Sequence, residues 1–388
     1  MSAPHDNQHY HALDNLRAIM MWLGIVIHVV MNYVVVRTPH LPWHDEQSTL
    51  WADFLGALIH VFRMPVFFVI AGFLAAMLLQ RRGPRAFLQH RAMRLALPFA
   101  VFWPILIPVT SIAALLFLNR MAYGRWSLEM SALPAGFRQD LPTMHLWFLW
   151  MLIWFCIATA VFSLLPRAPF AAAGRVLALL GRAWWGFAVL GIPVVIAGMQ
   201  YERGVLVASG RFAAPWDEWL HNVVFFLFGL ALWAHRDELL PHYRQHWRRY
   251  AWAAALAFLA AGATGEGRGP VLLFSAIYNS QTWLWTFAWI GFGLVMLDRR
   301  NPVLSYLAES AYWVYLVHLP FTVIIAATLY LTPVPVLLKI LIGIVATSVI
   351  CLGSYELFVR HTWISVLLNG KRHPRRGGPP VAPAVAAG

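Results

Sequence analysis

Charge is what this sequence has least of. Asp, Glu, Lys and Arg make up 12% of its 388 residues, while 60% are hydrophobic; a soluble domain carries about 25% charged residues. So few charges cannot cover a water-exposed surface of ordinary size, which excludes a soluble globular protein. Acidic residues are scarcer still, 16 against 29 Lys and Arg, for a net charge of +13. That excess suggests nucleic acid, but most of the Arg stand in short runs between apolar blocks, with no soluble domain to carry a basic face. No nucleic-acid partner is expected. There are two cysteines, Cys156 and Cys351, each inside an apolar block. They supply neither a disulfide framework nor a thiolate metal site. The histidines have no carboxylate or thiolate partners at ligand spacing, so no metal is expected. Alternating strands of about ten residues, the pattern of a membrane barrel, are absent, as are internal repeats.

What the chain has instead is apolar blocks of about twenty residues, the length needed to cross about 30 Å of hydrocarbon as a helix. The expected fold is all-α and polytopic, with about ten transmembrane helices. The spans are placed at 13–36, 54–79, 95–118, 145–165, 184–199, 219–233, 251–263, 274–297, 312–330 and 336–359. With Met1 on the cytoplasmic side, roughly nineteen Lys and Arg fall in the inner segments and about seven in the outer loops, as the positive-inside rule requires. Both termini are then cytoplasmic. Residues 1–12 read as a polar tail, 13–360 as the transmembrane domain and 361–388 as a basic, then Gly/Pro/Ala-rich, disordered tail. The polar start precedes a run long enough to stay in the membrane, so no cleaved leader is expected.

Ionisable residues inside spans carry the functional information, because each costs several kcal/mol unless paired or hydrated. The first span has Asp14, Asn15 and Arg17 at its cytoplasmic end and His28 eleven residues on. Eleven residues are about three turns and roughly 16 Å, so Arg17 and His28 share a face at different depths. Arg17 either snorkels to the interface or serves the site. In the second span His60 and Arg63 lie three apart, just before Pro65. Arg63 either binds substrate or braces carbonyls that Pro65 leaves free. Residues 65–73 then place small side chains where another helix can approach closely. Arg91 and Arg94, three apart in a cytoplasmic segment, suit phosphate by charge and forked geometry, although topology alone also puts Arg there. His145 and Trp147 open the fourth span. His318, about two turns into the ninth, is expected near the cytoplasmic face with Arg17, Arg91 and Arg94. Glu356 and Arg360 are spaced for an ion pair on one helix face.

Together these residues resemble the acyltransferase-3 family of membrane acyltransferases over most of the chain. Leu13-Asp14-Asn15-Leu16-Arg17-Ala18 through His28 is similar to the family's opening helix. Phe67-Phe68-Val69-Ile70-Ala71-Gly72-Phe73 resembles its FFxxSGF segment, with Ala71 replacing Ser. Arg91-x-x-Arg94 matches its cytoplasmic Arg pair, and Ala311 to His318 its SYxxYLxH segment, with Ala311 replacing Ser. The runs 60–65, 145–149 and 355–360 resemble the glucan biosynthesis protein C branch, which succinylates periplasmic glucans.

The resemblance implies transfer of a short acyl group, acetyl or succinyl, from acyl-coenzyme A to a glycan hydroxyl at the bacterial inner membrane. The donor is a substrate, and no permanently bound cofactor is implied. His28 would act as general base with Arg17 in the catalytic set. His60, Arg63, His145, Trp147 and His318 would line the substrate site, and Arg91 and Arg94 would meet the donor's phosphates. Intramembrane His and Arg also suit a secondary transporter, which would show matched broken helices in two halves and flux without a thioester. A non-catalytic scaffold would tolerate loss of His28.

Overall fold

The computed structural model describes residues 11–37, 41–134, 142–265, 269–299 and 301–373. Among them every regular element is helical. In chain order these are α1 (His11–Val30), α2 (Leu50–Arg91), α3 (Leu97–Tyr123), α4 (Trp147–Phe162), α5 (Arg167–Arg182) and α6 (Gly186–Gly198). They are followed by α7 (Trp216–Ala234), α8 (Arg236–Thr264), α9 (Val271–Met296), α10 (Pro302–Leu329), α11 (Val336–Ser354) and α12 (Trp363–Asn369).

Each expected span falls on a helix, but not all of these helices are apolar enough to cross a bilayer on that ground alone. Five runs are long and apolar enough: His11–Tyr33, Leu50–Tyr123, Met144–Phe162, Pro302–Leu329 and Val336–Val359. A sixth is possible if α5 and α6, bent by 112° against each other, form one broken span. The 74-residue run Leu50–Tyr123 is not straight. Gly83 breaks it at φ 74° and ψ 169°, a conformation open to glycine, directly before Pro84. A five-residue π turn, Ala92–Ala96, then leads into α3. The segment expected as a cytoplasmic loop, 81–94, is therefore largely helical. α7 and α9 fall short of the apolar runs because they carry buried polar residues: Asp217, Glu218 and Asn222 on one, Asn279, Gln281, Thr282 and Thr286 on the other. Some hold loops in place. Asn279 Nδ2 and Ser275 Oγ both donate to the carbonyl of Gly204, at 2.9 and 2.8 Å.

The small residues after Pro65 do what their size suggests. A Cβ at Gly72 would lie 2.1 Å from the Phe226 carbonyl oxygen, and one at Gly229 would lie 2.2 Å from that of Val69. α2 and α7 thus cross backbone to backbone. The aromatic side chains around the crossing, among them Phe68, Phe73, Phe225, Phe226 and Phe228, are fully buried.

Two ion pairs frame the bundle. Arg360 Nη1 lies 3.0 Å from both Glu356 oxygens, as the spacing predicted. On the opposite side, Lys339 of α11 donates to both oxygens of Asp45, at 2.8 and 3.1 Å, and the two side chains are 1% and 2% exposed. Asp45 in turn fixes the segment after α1: its N–H donates to the carbonyl of Asn32, and that of Thr49 to Tyr33. The side chain of Asn32 bonds the carbonyls of His28 and Val29 at 2.8 and 3.0 Å. The end of α1 that carries His28 is therefore tied to α11 through Asp45.

The expected tail contains a further helix. α12 has apolar Trp363, Ile364, Val366, Leu367 and Leu368; Thr362 caps its start and Gly370, at φ 79°, closes it. Charge and Gly/Pro content dominate only after it. The rest of the predicted disordered tail, from 374 on, lies outside the described residues, as do residues 1–10 of the N-terminal one.

Candidate active site

Three helices and one turn bring their ionisable residues to a common point deep in the bundle. α1 contributes His28, α2 Arg63, α10 His318, and the turn before α4 His145. The rings of His28 and His318 are 5.1 Å apart between centroids, and those of His145 and His318 are 5.3 Å apart. Arg63 and His145 are both electrostatic neighbours of His28.

Local sequence explains each placement. On α1, Gly24 lies one turn before His28 and leaves the helix surface open there. A Cβ at Gly24 would stand 2.7 Å from Arg63 Nη1 and 3.7 Å from His318 Nε2. Arg63 therefore rests against the backbone of α1. Among the described residues it makes no bond to the carbonyl that Pro65 frees, and no carboxylate neutralises it. Its Nε is buried without a partner there, so the bracing role weighed for Arg63 is not the one it adopts.

His145 follows Met144, whose φ of 48° is unusual for a residue with a side chain and costs about 1–3 kcal/mol unless the surroundings hold it. The Thr143 N–H, 2.6 Å from the Gly210 carbonyl, is one such anchor. On α10, Pro320 has no N–H and leaves the carbonyl of Leu316, four residues earlier, without its helical partner. His145 Nε2 takes that carbonyl at 2.9 Å, and Tyr315 returns a bond from its hydroxyl to the His145 carbonyl at 2.9 Å. His318 Nδ1 lies 3.0 and 2.9 Å from the carbonyls of Val314 and Tyr315. Carbonyls only accept, so these contacts fix both tautomers. His145 Nδ1 and His318 Nε2 are left as lone-pair acceptors, both buried and unpartnered among the described residues.

The depth expected for His318 needs correction. Asn301 caps α10 through its side chain and Pro302 occupies the first turn, ten residues before the Tyr312 taken as the start. His318 is thus about 24 Å along its helix and lies with His28 and Arg63, not near the start of the helix.

A second group adjoins the first. His60, one turn before Arg63, has Nδ1 3.4 Å from the Tyr278 hydroxyl, and His221 of α7 has His60 among its electrostatic neighbours. His60 is exposed, and His28, Arg63 and His221 are half-buried. Trp147 is part of an aromatic wall, its ring 6.3 Å from Phe68, and is not in the cluster. His221 and Tyr278 are not among the site residues expected from sequence, although His221 is a histidine inside the expected span 219–233 and so carries the same signal as His28.

At the other end, Arg17 pairs with Asp14 at 3.4 Å. Arg91 lies over the Phe87 ring at 5.5 Å with a buried, unpartnered Nε, and Arg17 and the Cys156 thiol are its electrostatic neighbours. Arg94 is engaged elsewhere: its Nη1 takes the carbonyls of Val366 and Leu367, at 2.6 and 2.9 Å, at the end of α12. The two arginines read as a phosphate pair thus point to different tasks. Among the described residues no three His, Cys, Asp or Glu side chains are placed to hold a metal ion.

The geometry makes Gly24 the floor of the site. Gly24→Ala is expected to lower turnover by about tenfold by displacing Arg63, since a Cβ at 2.7 Å overpacks the contact. Gly56→Ala, whose Cβ would meet only Met31 and Val30 at 3.9 Å, is expected to match the wild type in the same assay.

No solved structure matches this chain. In sequence it is similar to glucans biosynthesis protein C of Salmonella gallinarum, with 26% identity covering 92% of this chain and 94% of the relative. The proteins of the same name from Salmonella paratyphi A and Salmonella heidelberg are 25% and 26% identical, with the same coverage. Residues 10–356 match the acyltransferase domain that defines the acyltransferase-3 family. A helical membrane chain with imidazoles and a cation at its centre, matched over nearly its whole length, belongs to the acyltransferase-3 family and is an acyltransferase.

Proposed function

We propose that this protein moves an acetyl or succinyl group from acyl-coenzyme A to a hydroxyl of a periplasmic or cell-surface glycan. It does so in the bacterial inner membrane, with about ten spans and both termini cytoplasmic. The observation that carries the reading is the His28–Arg63–His318 cluster, brought together by three helices with the two rings 5.1 Å apart and Arg63 against Gly24 beside them. Acyl transfer needs a base for the hydroxyl proton and a positive charge for the tetrahedral oxyanion. His28 supplies the base; Arg63, with no carboxylate partner, supplies the charge. The donor's phosphates meet Arg17 and Arg91 at the cytoplasmic end, while Arg94 holds α12 beside them. His60, His145 and Trp147 shape the acceptor side. The names of the similar Salmonella proteins favour a glucan as acceptor.

Mass spectrometry of periplasmic and surface glycans, with and without the gene, tests the reading. A mass increment that vanishes with the gene names acyl group and acceptor together, and unchanged acylation rejects it. If succinyl is carried, Arg63 also meets its free carboxylate. Arg63→Gln is then expected to lower the succinyl-to-acetyl ratio about tenfold or more, the loss of a charge-assisted hydrogen bond. An unchanged ratio sinks that assignment.

A further inference from the structure

The reaction has a proton to move as well as an acyl group. When the acceptor oxygen bonds the acyl carbon its O–H bond breaks, and when the C–S bond breaks the departing thiolate needs a proton. Acceptor and donor approach from opposite ends of the bundle, so one fixed base has two distant tasks. The cluster holds a second imidazole suited to share them. We infer that His318 is a catalytic residue that carries the proton from His28 to the leaving thiolate.

Three observations place it there. The His318 ring is 5.1 Å from that of His28, centroid to centroid; the rings share no hydrogen bond at rest, and a rotation of the His28 ring brings a nitrogen to Nε2. Its Nδ1–H is held by the carbonyls of Val314 and Tyr315, so the basic lone pair is on Nε2. That atom is buried and unpartnered among the described residues, in a side chain only 2% exposed. The two carbonyls do for His318 what a carboxylate does for the histidine of a hydrolase triad: they orient the ring and stabilise the imidazolium that forms. Gly24 leaves open the face of α1 toward which Nε2 points, at 3.7 Å from its virtual Cβ.

The step balances within the substrates. His28 takes the hydroxyl proton on one ring nitrogen and yields the proton of the other to His318 Nε2. The tetrahedral carbon then expels the thiolate, and His318 returns that proton to sulfur. Arg63 remains charged throughout and faces the oxyanion. The groups facing the pair are Arg63 from α2, His145 from the turn before α4 and Tyr315 from α10, and none is a carboxylate. The inference rests on the acyltransferase reading given above.

The test uses the full chain in proteoliposomes, with acetyl- and succinyl-coenzyme A as donors and a gluco-oligosaccharide as acceptor. His318→Gln and His28→Gln are each expected to lower kcat about a hundredfold or more, with KM for the donor within threefold. The double variant is expected to be no slower than the worse single one, because the two act as a unit. A His318→Gln protein that keeps a third of wild-type kcat, or a double variant whose losses multiply, overturns the relay. A wild-type measurement covers the case of a variant that does not fold. The plot of kcat/KM against deuterium fraction is expected to be curved, as when two protons move in one step, and a linear or flat plot rejects the relay. If the wild type forms no ester from any donor, the acyltransferase reading falls first, a result distinct from these.

Discussion

His28→Ala is expected to abolish measurable acyl transfer while leaving the protein folded and able to bind acyl-coenzyme A. General-base catalysis contributes about 10²–10⁴ in rate. The neighbouring lone pairs do not substitute: His145 Nδ1 belongs to a ring pinned to Leu316, and His318 Nε2 to one pinned by two carbonyls. Removing the ring leaves the helix intact, because the end of α1 is held by its backbone: Asn32 bonds the carbonyl of His28, not its side chain. The measurement is turnover in proteoliposomes beside donor affinity by calorimetry. Retention of a tenth of wild-type kcat by His28→Ala would falsify the base assignment.

The second large effect is on stability and lies away from the chemistry. Asp45→Ala leaves the Lys339 ammonium buried at 1% exposure with its carboxylate gone. Breaking a buried pair from one side costs about 3–5 kcal/mol, a large fraction of the stability of most proteins. Adding Lys339→Met, which removes the stranded charge and fits the apolar surroundings of α11, is expected to recover most of that loss. The midpoint of thermal unfolding in detergent, followed by circular dichroism, reads both. If Asp45→Ala unfolds at the wild-type temperature, the pair is not what anchors the segment after α1. Activity is expected to fall with stability in the single variant and to return in the double, since the segment seats the end of α1 that bears His28.

How much of this was legible in the sequence depended on whether a signal was local. The spacing of Arg17 and His28 needed only helical geometry, and α1 runs unbroken from one to the other. The small residues after Pro65 announced a close helix contact, but not that its partner would be Gly229. Glu356 and Arg360 met because four residues along a helix bring side chains together. His318 was placed too shallow because apolar periodicity starts near Tyr312, whereas the helix starts where Asn301 and Pro302 cap it; that signal was present and outweighed. Lys339 was passed over although it is a lysine inside a span, and its partner Asp45 lies 294 residues away. For Arg94 there was no local signal at all. A pair of arginines three apart looks the same whether both face a phosphate or one closes a distant helix, and only the fold of residues 363–370 separates the two.

The crossing of Gly72 and Gly229 has a mechanical meaning. Two backbones in contact have no side chains between them to slide or repack, so α2 and α7 behave as a welded joint. His60 and Arg63 on one and His221 on the other then travel as a single rigid body. Whatever opening admits an acyl donor or releases a product is then borne by contacts other than this joint.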